Sequence, residues 1–334
     1  MLNRPDLSNE AVLSVLARFE LRTAEAIFQP SGDANSAVYR VASNGRRYFL
    51  KARCGDFDQI AATVPAWLYA KGISRVMAPI TATTGAPWVH LHGFDWMLYP
   101  NFSGKNGFES PLSQVQWIAL GETIRQVHEA ILSSELARRV PRESYSSRYR
   151  AIVEELDAEV SARQSFDDRA ATQLAKFWMK NRCDIRAVLE RADDLVATMR
   201  SRTGGFVLCH TDLHAGNVLV SGDDQLMIID WDNPIFAPKE RDLMFVGGGV
   251  GGAWNNPLES DWFFAGYGDV EIDPIAIAFY RYERIVVDIA EYGQPIFGLK
   301  GSALDRLSGL RKLKTAFLRA NVIDVAHQTY SKLS

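Results

Sequence analysis

Apolar residues fall into two patterns along the chain, short alternating or continuous runs in the first hundred positions and three- and four-residue spacing from about residue 113. The first pattern predicts strands. "SAVYRVAS" (36–43) and "RRYFLKAR" (46–53) flank Asn44-Gly45, a pair that tolerates the positive φ of a tight hairpin. "VMAPI" (76–80) and "WVHLHGFDWMLYP" (88–100) read as two or three more strands. Helices are expected over 9–20, after the cap candidate Ser8, and over 57–71, which contains Pro65. The second pattern predicts helices over 113–132, 144–162 and 167–200, and again from about 258 to the end. It is broken once, at 206–231, where the short apolar runs "FVLC" and "LMIID" flank the polar stretch "HTDLHAGN". This order predicts an α+β protein of two lobes, a β-rich one over 1–100 and a mainly helical one over 101–334, with no repeat and no long linker.

Composition narrows the class. A chain of 334 residues with 47% hydrophobic content can bury a core in each lobe. No run of eighteen apolar residues occurs, and the start of the chain lacks the basic and then apolar layout of a secretory signal, so a soluble, cytoplasmic protein with no membrane partner is expected. The net charge of −3, with basic residues scattered, excludes a surface devoted to nucleic acid and is compatible with a cationic small molecule. Cys54, Cys183 and Cys209 form no C-x-x-C pair and read as reduced thiols, two of them in the core. For oligomeric state, a monomer is the default.

The polar stretch has three readings. His210 and His214 could be an i, i+4 metal pair, but Thr211 follows His210 where such sites have Glu, and Gly216 breaks a helix through the motif. It could be an ordinary turn between strands. The third reading is H-x-D-L-x-x-x-N, formed by His210, Asp212, Leu213 and Asn217, which has the spacing of a kinase catalytic loop. Thirteen residues after Asn217, "MIIDWD" places Asp230 where a kinase carries its metal-binding aspartate. Phosphoryl transfer needs a carboxylate to orient the attacking hydroxyl and hard oxygen donors for Mg²⁺, roles that fall to Asp212 and to Asn217 with Asp230. Lys51, on the strand after the hairpin, supplies the cation for the phosphates of ATP. Upstream, the turn Ser31 to Ser36 has one glycine, Gly32, so Ser36 and backbone N–H groups replace a glycine-rich phosphate loop. The connecting strand Leu98 to Asn101 is the expected seat of the adenine. A literal G-x-G-x-x-G, Gly247, Gly249 and Gly252, lacks a βαβ unit around it and reads as a mobile loop lining the substrate cleft.

These residues resemble the aminoglycoside phosphotransferase and choline kinase family. "HTDLHAGNVLV" is similar to that family's catalytic loop, "IIDWDNP" to its aspartate strand, and "LGETIRQVHEA" to its helix with Leu120, Gly121 and His128. "APKERDLMFVGGGVG" and "YRYERIVVDIA" resemble the spectinomycin phosphotransferase branch, and "MAPI", "LYP" and "NGF" extend the resemblance over most of the chain. The resemblance implies a protein-kinase-like bilobal fold and ATP-dependent phosphorylation of an aminocyclitol hydroxyl.

Departures and rivals accompany it. No glutamate occurs between Lys51 and Glu109, which leaves Asp58 as the expected helix partner of Lys51. Thr211 replaces the arginine that would clasp a phosphorylated activation loop. A protein kinase is the main rival, but "APKE" begins seven residues after Asp230, too soon for a peptide-docking segment. A kinase of choline, a sugar or another aminoglycoside is a further rival, as is a catalytically dead nucleotide-binding scaffold. Trp254, Glu259, Asp261 and Asp288, with Trp262, Tyr267, Asp269 and Glu283, are the candidate contacts for an ammonium-bearing substrate. His210 is expected to brace the loop, and His214 either does the same or lies near the phosphates.

Overall fold

The structure is a computed structural model and describes residues 7–29, 36–55, 57–163, 165–202, 205–222, 224–318 and 321–333. The elements run α1 (Asn9–Ala17), β1 (Ala24–Gln29), β2 (Ser36–Ser43), β3 (Arg46–Arg53), α2 (Ile60–Ala70), β4 (Val89–Leu91), β5 (Phe94–Pro100), β6 (Lys105–Asn106), α3 (Gln114–His128) and α4 (Ser134–Arg139). They continue with α5 (Arg148–Ala162), α6 (Arg169–Lys180), α7 (Arg182–Ser201), β7 (Phe206–Cys209), β8 (Val218–Ser221), β9 (Gln225–Ile228), β10 (Ile235–Pro238), α8 (Glu240–Leu243), α9 (Pro257–Tyr267), α10 (Pro274–Phe297), α11 (Ala303–Ala316) and α12 (Val322–Tyr330). The α+β class is as expected. Two compact units form, one from Met1–Pro141 with His210–Ile235, the other from Arg142–Cys209 with Phe236–Ser334.

In the first unit, five antiparallel strands lie in the order β1-β2-β3-β5-β4. The hairpin joining β2 to β3 turns on Asn44 (φ 49°) and Gly45 (φ 73°), the two positive angles that keep a tight turn in step with strand twist. Its register sets Lys51 opposite Val38 and Met97, Phe49 opposite Arg40 and Tyr99, and Arg53 opposite Ser36 and Asp95. Side chains alternate along a strand, so these residues share one face. The other face carries Ala37, Tyr39, Val41, Leu50, Ala52, Trp96 and Leu98, which pack with Val12, Val15 and Leu16 of α1 into a buried core. Each leucine-sized side chain there contributes about 1.5–3 kcal/mol. The polar Lys51 face is therefore held by an apolar opposite face.

A second sheet, β6-β8-β9, belongs to the same unit. Ile228 of β9 is fixed on both backbone groups, donating to Arg75 O and accepting from Met77 N, each at 2.8 Å. Ser113 and Gln116 form a capping box at the start of α3, and Gln116 Nε2 also donates to Gly222 O (3.0 Å) and Gln225 O (3.1 Å), pinning the β8–β9 turn.

The second unit is mainly helical. α10, 24 residues long, buries Phe279, Tyr280, Tyr282, Ile285, Val286 and Ile289, and packs on α5, α7, α11 and α12. A buried ion pair joins Arg150 of α5 to Glu283 of α10. β7 and β10 form a two-stranded sheet. Among the described residues, no helix is long and apolar enough to cross a membrane.

Several elements differ from expectation. The expected helix over 167–200 is two helices that part at Asn181, whose side chain donates back to Phe177 O at 2.8 Å. "VMAPI" is not a strand. Pro79 lacks an N–H, and the segment forms no ladder: it makes an isolated bridge from Val76 to Ile228, with Met77 N on Ile228 O, and a separate hydrogen bond from Ile80 N to Leu98 O at 2.7 Å. Only Cys209 is buried, whereas Cys54 is half-buried and Cys183 exposed, so one thiol rather than two lies in the core.

Candidate active site

The loop from His210 to Asn217 is fastened to the chain that leads into Asp230. The His210 ring, 1% exposed, donates from Nε2 to Ile229 O at 2.8 Å and accepts the Asp212 N–H on Nδ1 at 3.2 Å. These two bonds define the neutral ring with its proton on Nε2. Trp231 meets the ring edge-on at 4.6 Å between centroids. At the other end of the loop, Ile229 N donates to Asn217 O at 2.9 Å. The residue before Asp230 thus holds both ends of the loop, which is the bracing role expected of His210.

Two non-glycine residues here take left-handed backbone angles, Thr211 (φ 77°) and Asp230 (φ 65°). Such conformations cost on the order of 1–3 kcal/mol and persist where surroundings over-determine them. Thr211 Oγ1 donates to Asn233 O at 3.0 Å, one such constraint.

Asn217 closes a 3₁₀ turn over Ala215–Asn217. Its Nδ2 donates to Asp212 O (2.8 Å) and Asp212 Oδ2 (3.2 Å). Both amide protons face Asp212, so Oδ1 is the atom that Asn217 can offer to a cation. The Asp212 side chain is 41% exposed. A carboxylate within reach of solvent, on a braced loop, can meet a hydroxyl.

Ile229 and Asp230 also line a cavity of about 550 Å³, within the usual range for a small-molecule site. Val38, Phe49, Met77, Tyr99, Pro100, Phe102, Leu219 and Ile229 give it apolar walls, and Ser36, Lys51, Asp230 and Asp232 give it a polar end. Lys51 Nζ lies 3.0 Å from both Asp230 Oδ1 and Asp232 Oδ2, and Arg53 Nη1 lies 2.6 Å from Asp232 Oδ2. Burial alone would lower the Lys51 pKa, but the two carboxylates outweigh it and hold the ammonium well above its ordinary value. Burial pushes the Tyr99 hydroxyl up.

The structure therefore brings Ser36, Lys51 and Asp230 to one cavity, and Asp212 and Asn217 to one hydrogen-bonded pair. Leu98 is elsewhere. Its side chain lies in the core, its carbonyl accepts from Ile80 N, and Tyr99 and Pro100 line the cavity instead. Asn101 lines an adjoining cavity of about 430 Å³ with Arg40, Arg47, Phe102 and Gly104. Ser31 to Asn35, Gly32 included, lie outside the described residues. Asp58 does not partner Lys51: its Oδ1 accepts from Ile60 N at 3.1 Å at the start of α2, and the carboxylates beside Lys51 are Asp230 and Asp232. Asp232 and Arg53 were not among the expected residues. For Arg53 the signal was the i+2 spacing in "KAR", which on β3 returns a side chain to the face of Lys51; Asp232 lies beyond the end of β9, where no strand spacing applies.

The substrate candidates occupy the second unit. Trp254 is buried at φ 60°. Glu259 caps its own helix by accepting from Asn256 N at 3.2 Å, Asp261 is exposed on α9, and Asp288 pairs with Arg284 one turn earlier at 3.1 Å. Glu283 is committed to Arg150. Gly247, Gly249 and Gly252 all have positive φ, which explains their residue type without a dinucleotide site.

Residues 27–268 match the model of a family described as the phosphotransferase enzyme family. The chain belongs to this family. A spectinomycin phosphotransferase, APH(9)-Ia, solved in complex with ADP and spectinomycin, is similar to this phosphotransferase at 33% identity with a TM-score of 0.89, over 97% of this chain and 99% of that one. The AMP-bound complex of that enzyme gives 33% and 0.86, over 96% and 98%. An aminoglycoside phosphotransferase from Alicyclobacillus acidocaldarius, at 17% identity and a TM-score of 0.60 over 98% of each chain, shares the fold. A search of curated proteins by sequence found no match.

Proposed function

We propose that this phosphotransferase moves the γ-phosphate of ATP to a hydroxyl of an aminocyclitol antibiotic, spectinomycin first among them, and so confers resistance. The observation that carries the reading is the apolar cavity ending in Lys51 and Asp230, joined through Ile229 to the loop of Asp212 and Asn217. Likeness over nearly the whole chain to an enzyme solved with ADP and spectinomycin supports the choice of acceptor.

Apolar walls suit a nucleobase, and the Lys51 ammonium suits the phosphates. Asn217 Oδ1 and the Asp230 carboxylate are hard oxygen donors, the type Mg²⁺ takes, and the Lys51 ammonium beside Asp230 and Asp232 marks a place that already gathers positive charge. When bound, Mg²⁺ supplies charge neutralisation to the phosphates. Asp212 accepts a hydrogen bond from the acceptor hydroxyl and sets its line of approach. As the new O–P bond forms, the bond from the γ-phosphorus to the β,γ-bridging oxygen breaks, ADP leaves with that electron pair, and the hydroxyl proton passes to Asp212 and on to solvent. Positioning matters more than basicity in so loose a transition state. Trp254, Glu259, Asp261 and Asp288 are the proposed contacts for the acceptor's ammonium groups, with Asp261 the exposed carboxylate of the set.

ATP consumption with Mg²⁺ against a panel of aminocyclitol, aminoglycoside, choline and sugar acceptors tests the reading. Turnover with spectinomycin supports it, whereas turnover confined to choline, a sugar or a protein would replace the acceptor class.

A further inference from the structure

The geometry points to His214 as a positioning residue for Asp212: its Nε2–H holds Asp212 Oδ2 and fixes the rotation of the carboxylate, a role that rests on Asp212 being the group that takes the hydroxyl proton. Gly216 N donates to His214 Nδ1 at 2.9 Å. That bond leaves the ring proton on Nε2. Nε2 lies 3.5 Å from Asp212 Oδ2, a long contact of the kind catalytic groups show before a substrate arrives. Asn217 Nδ2 reaches the same oxygen at 3.2 Å. The Asn217 hydrogen bond, with the His214 ring nitrogen facing the same oxygen, distinguishes the two oxygens of a carboxylate that would otherwise turn about its last bond.

The ring itself is held from outside the loop. Phe108 stacks on His214 with 5.6 Å between centroids and 30° between planes, although Phe108 is 46% exposed. An exposed phenyl adds little to a core, so its place on His214 calls for a local purpose. The segment carrying Phe108 is tied down at Gly107 and Phe108. Gly107 N points at Ala215 O (2.8 Å) and Val218 O (3.0 Å), and Asn106 Oδ1 accepts from Phe108 N at 3.0 Å. Gly216 completes the packing, because a Cβ there would lie 2.7 Å from His214 Cε1 and 2.9 Å from Phe108 Cε2. Phe108, Gly216 and His214 thus form one packed unit whose polar output is a single N–H aimed at Asp212.

Two substitutions separate the ring from the proton. His214→Phe keeps an aromatic ring for Phe108 and removes the donor; His214→Gln keeps an amide donor and removes the ring. Steady-state kinetics with ATP and spectinomycin, and thermal melting of each variant, read the result. His214→Phe is expected to lose about ten- to a hundredfold in kcat, the scale of one hydrogen bond to a charged group, with KM for ATP unchanged. His214→Gln is expected to recover most of that loss. In an Asp212→Asn background, His214→Phe should cause no further loss, since both changes act through one carboxylate. Wild-type kcat in a folded His214→Phe, or a loss that appears in KM for ATP or persists undiminished in the residual turnover of the Asp212→Asn background, would overturn the role of His214 while a strongly slowed Asp212→Asn keeps the site reading. Near-full turnover by Asp212→Asn would overturn both.

Discussion

Lys51 Nζ and Asp230 Oδ1 lie 3.0 Å apart although 179 residues separate them in sequence. The strand register turns Lys51 to the cavity face, and the left-handed angle at Asp230 turns its carboxylate to meet it. If this ammonium neutralises phosphate charge, Lys51→Ala lowers kcat/KM for ATP by about 10²- to 10³-fold, the scale of removing one stabilising donor in a preorganised site. Steady-state kinetics at saturating acceptor check this, and the KM for the acceptor should stay within a few-fold of wild type.

Gly104 is a steric requirement. A Cβ there would lie 2.5 Å from Val220 O and 2.6 Å from Phe102 Cε1. The backbone oxygen belongs to β8, which pairs with β6 at Lys105, so it cannot yield without parting the strands. Gly104→Ala should therefore cost about 1–3 kcal/mol in urea unfolding and raise the KM for ATP, since Gly104 and Phe102 line the cavity.

Much of this was legible in the sequence, for reasons that differ by residue. Asp212, Asn217 and Asp230 announce themselves by fixed spacing, and Asn44-Gly45 by the angles its turn demands. β1 was missed because "AEAIFQ" alternates weakly and no turn signal stands before it, although it pairs with β2 along its full length. α4 was missed because six residues carry too little periodicity. The expected adenine seat, Leu98 to Asn101, rests on the backbone of the connecting strand; which side chains of that strand face the cavity is set by register, since a one-residue step changes faces, and these are Tyr99 and Pro100 rather than Leu98. The pairing of Lys51 and Arg53 with Asp232 depends on how strands distant in sequence are placed, which no local pattern encodes.

Asp157 gives a prediction for pH. Burial alone would raise its pKa, but hydrogen bonds from Arg182, Trp178 and Arg186 outweigh that and hold the carboxyl at about 2, below its ordinary 3.8. A depressed folded-state pKa stabilises the fold fully above the unfolded value, and that contribution is lost as pH falls from about 4 toward 2. Asp157→Asn should cost about 1–2 kcal/mol at pH 7, and the gap between variant and wild type should narrow below pH 4. Urea unfolding followed across that range measures it; a gap independent of pH would remove the ionised carboxylate as its cause.

The central claim is that Asp212 directs transfer of the γ-phosphate to an acceptor hydroxyl. Mass spectrometry of spectinomycin incubated with ATP, Mg²⁺ and either wild type or Asp212→Asn tests it most directly, with ATP binding measured in parallel. The expected result is spectinomycin carrying one added phosphate with wild type and at least about a hundredfold less with the variant, at unchanged ATP affinity. Equal product from both proteins would contradict it.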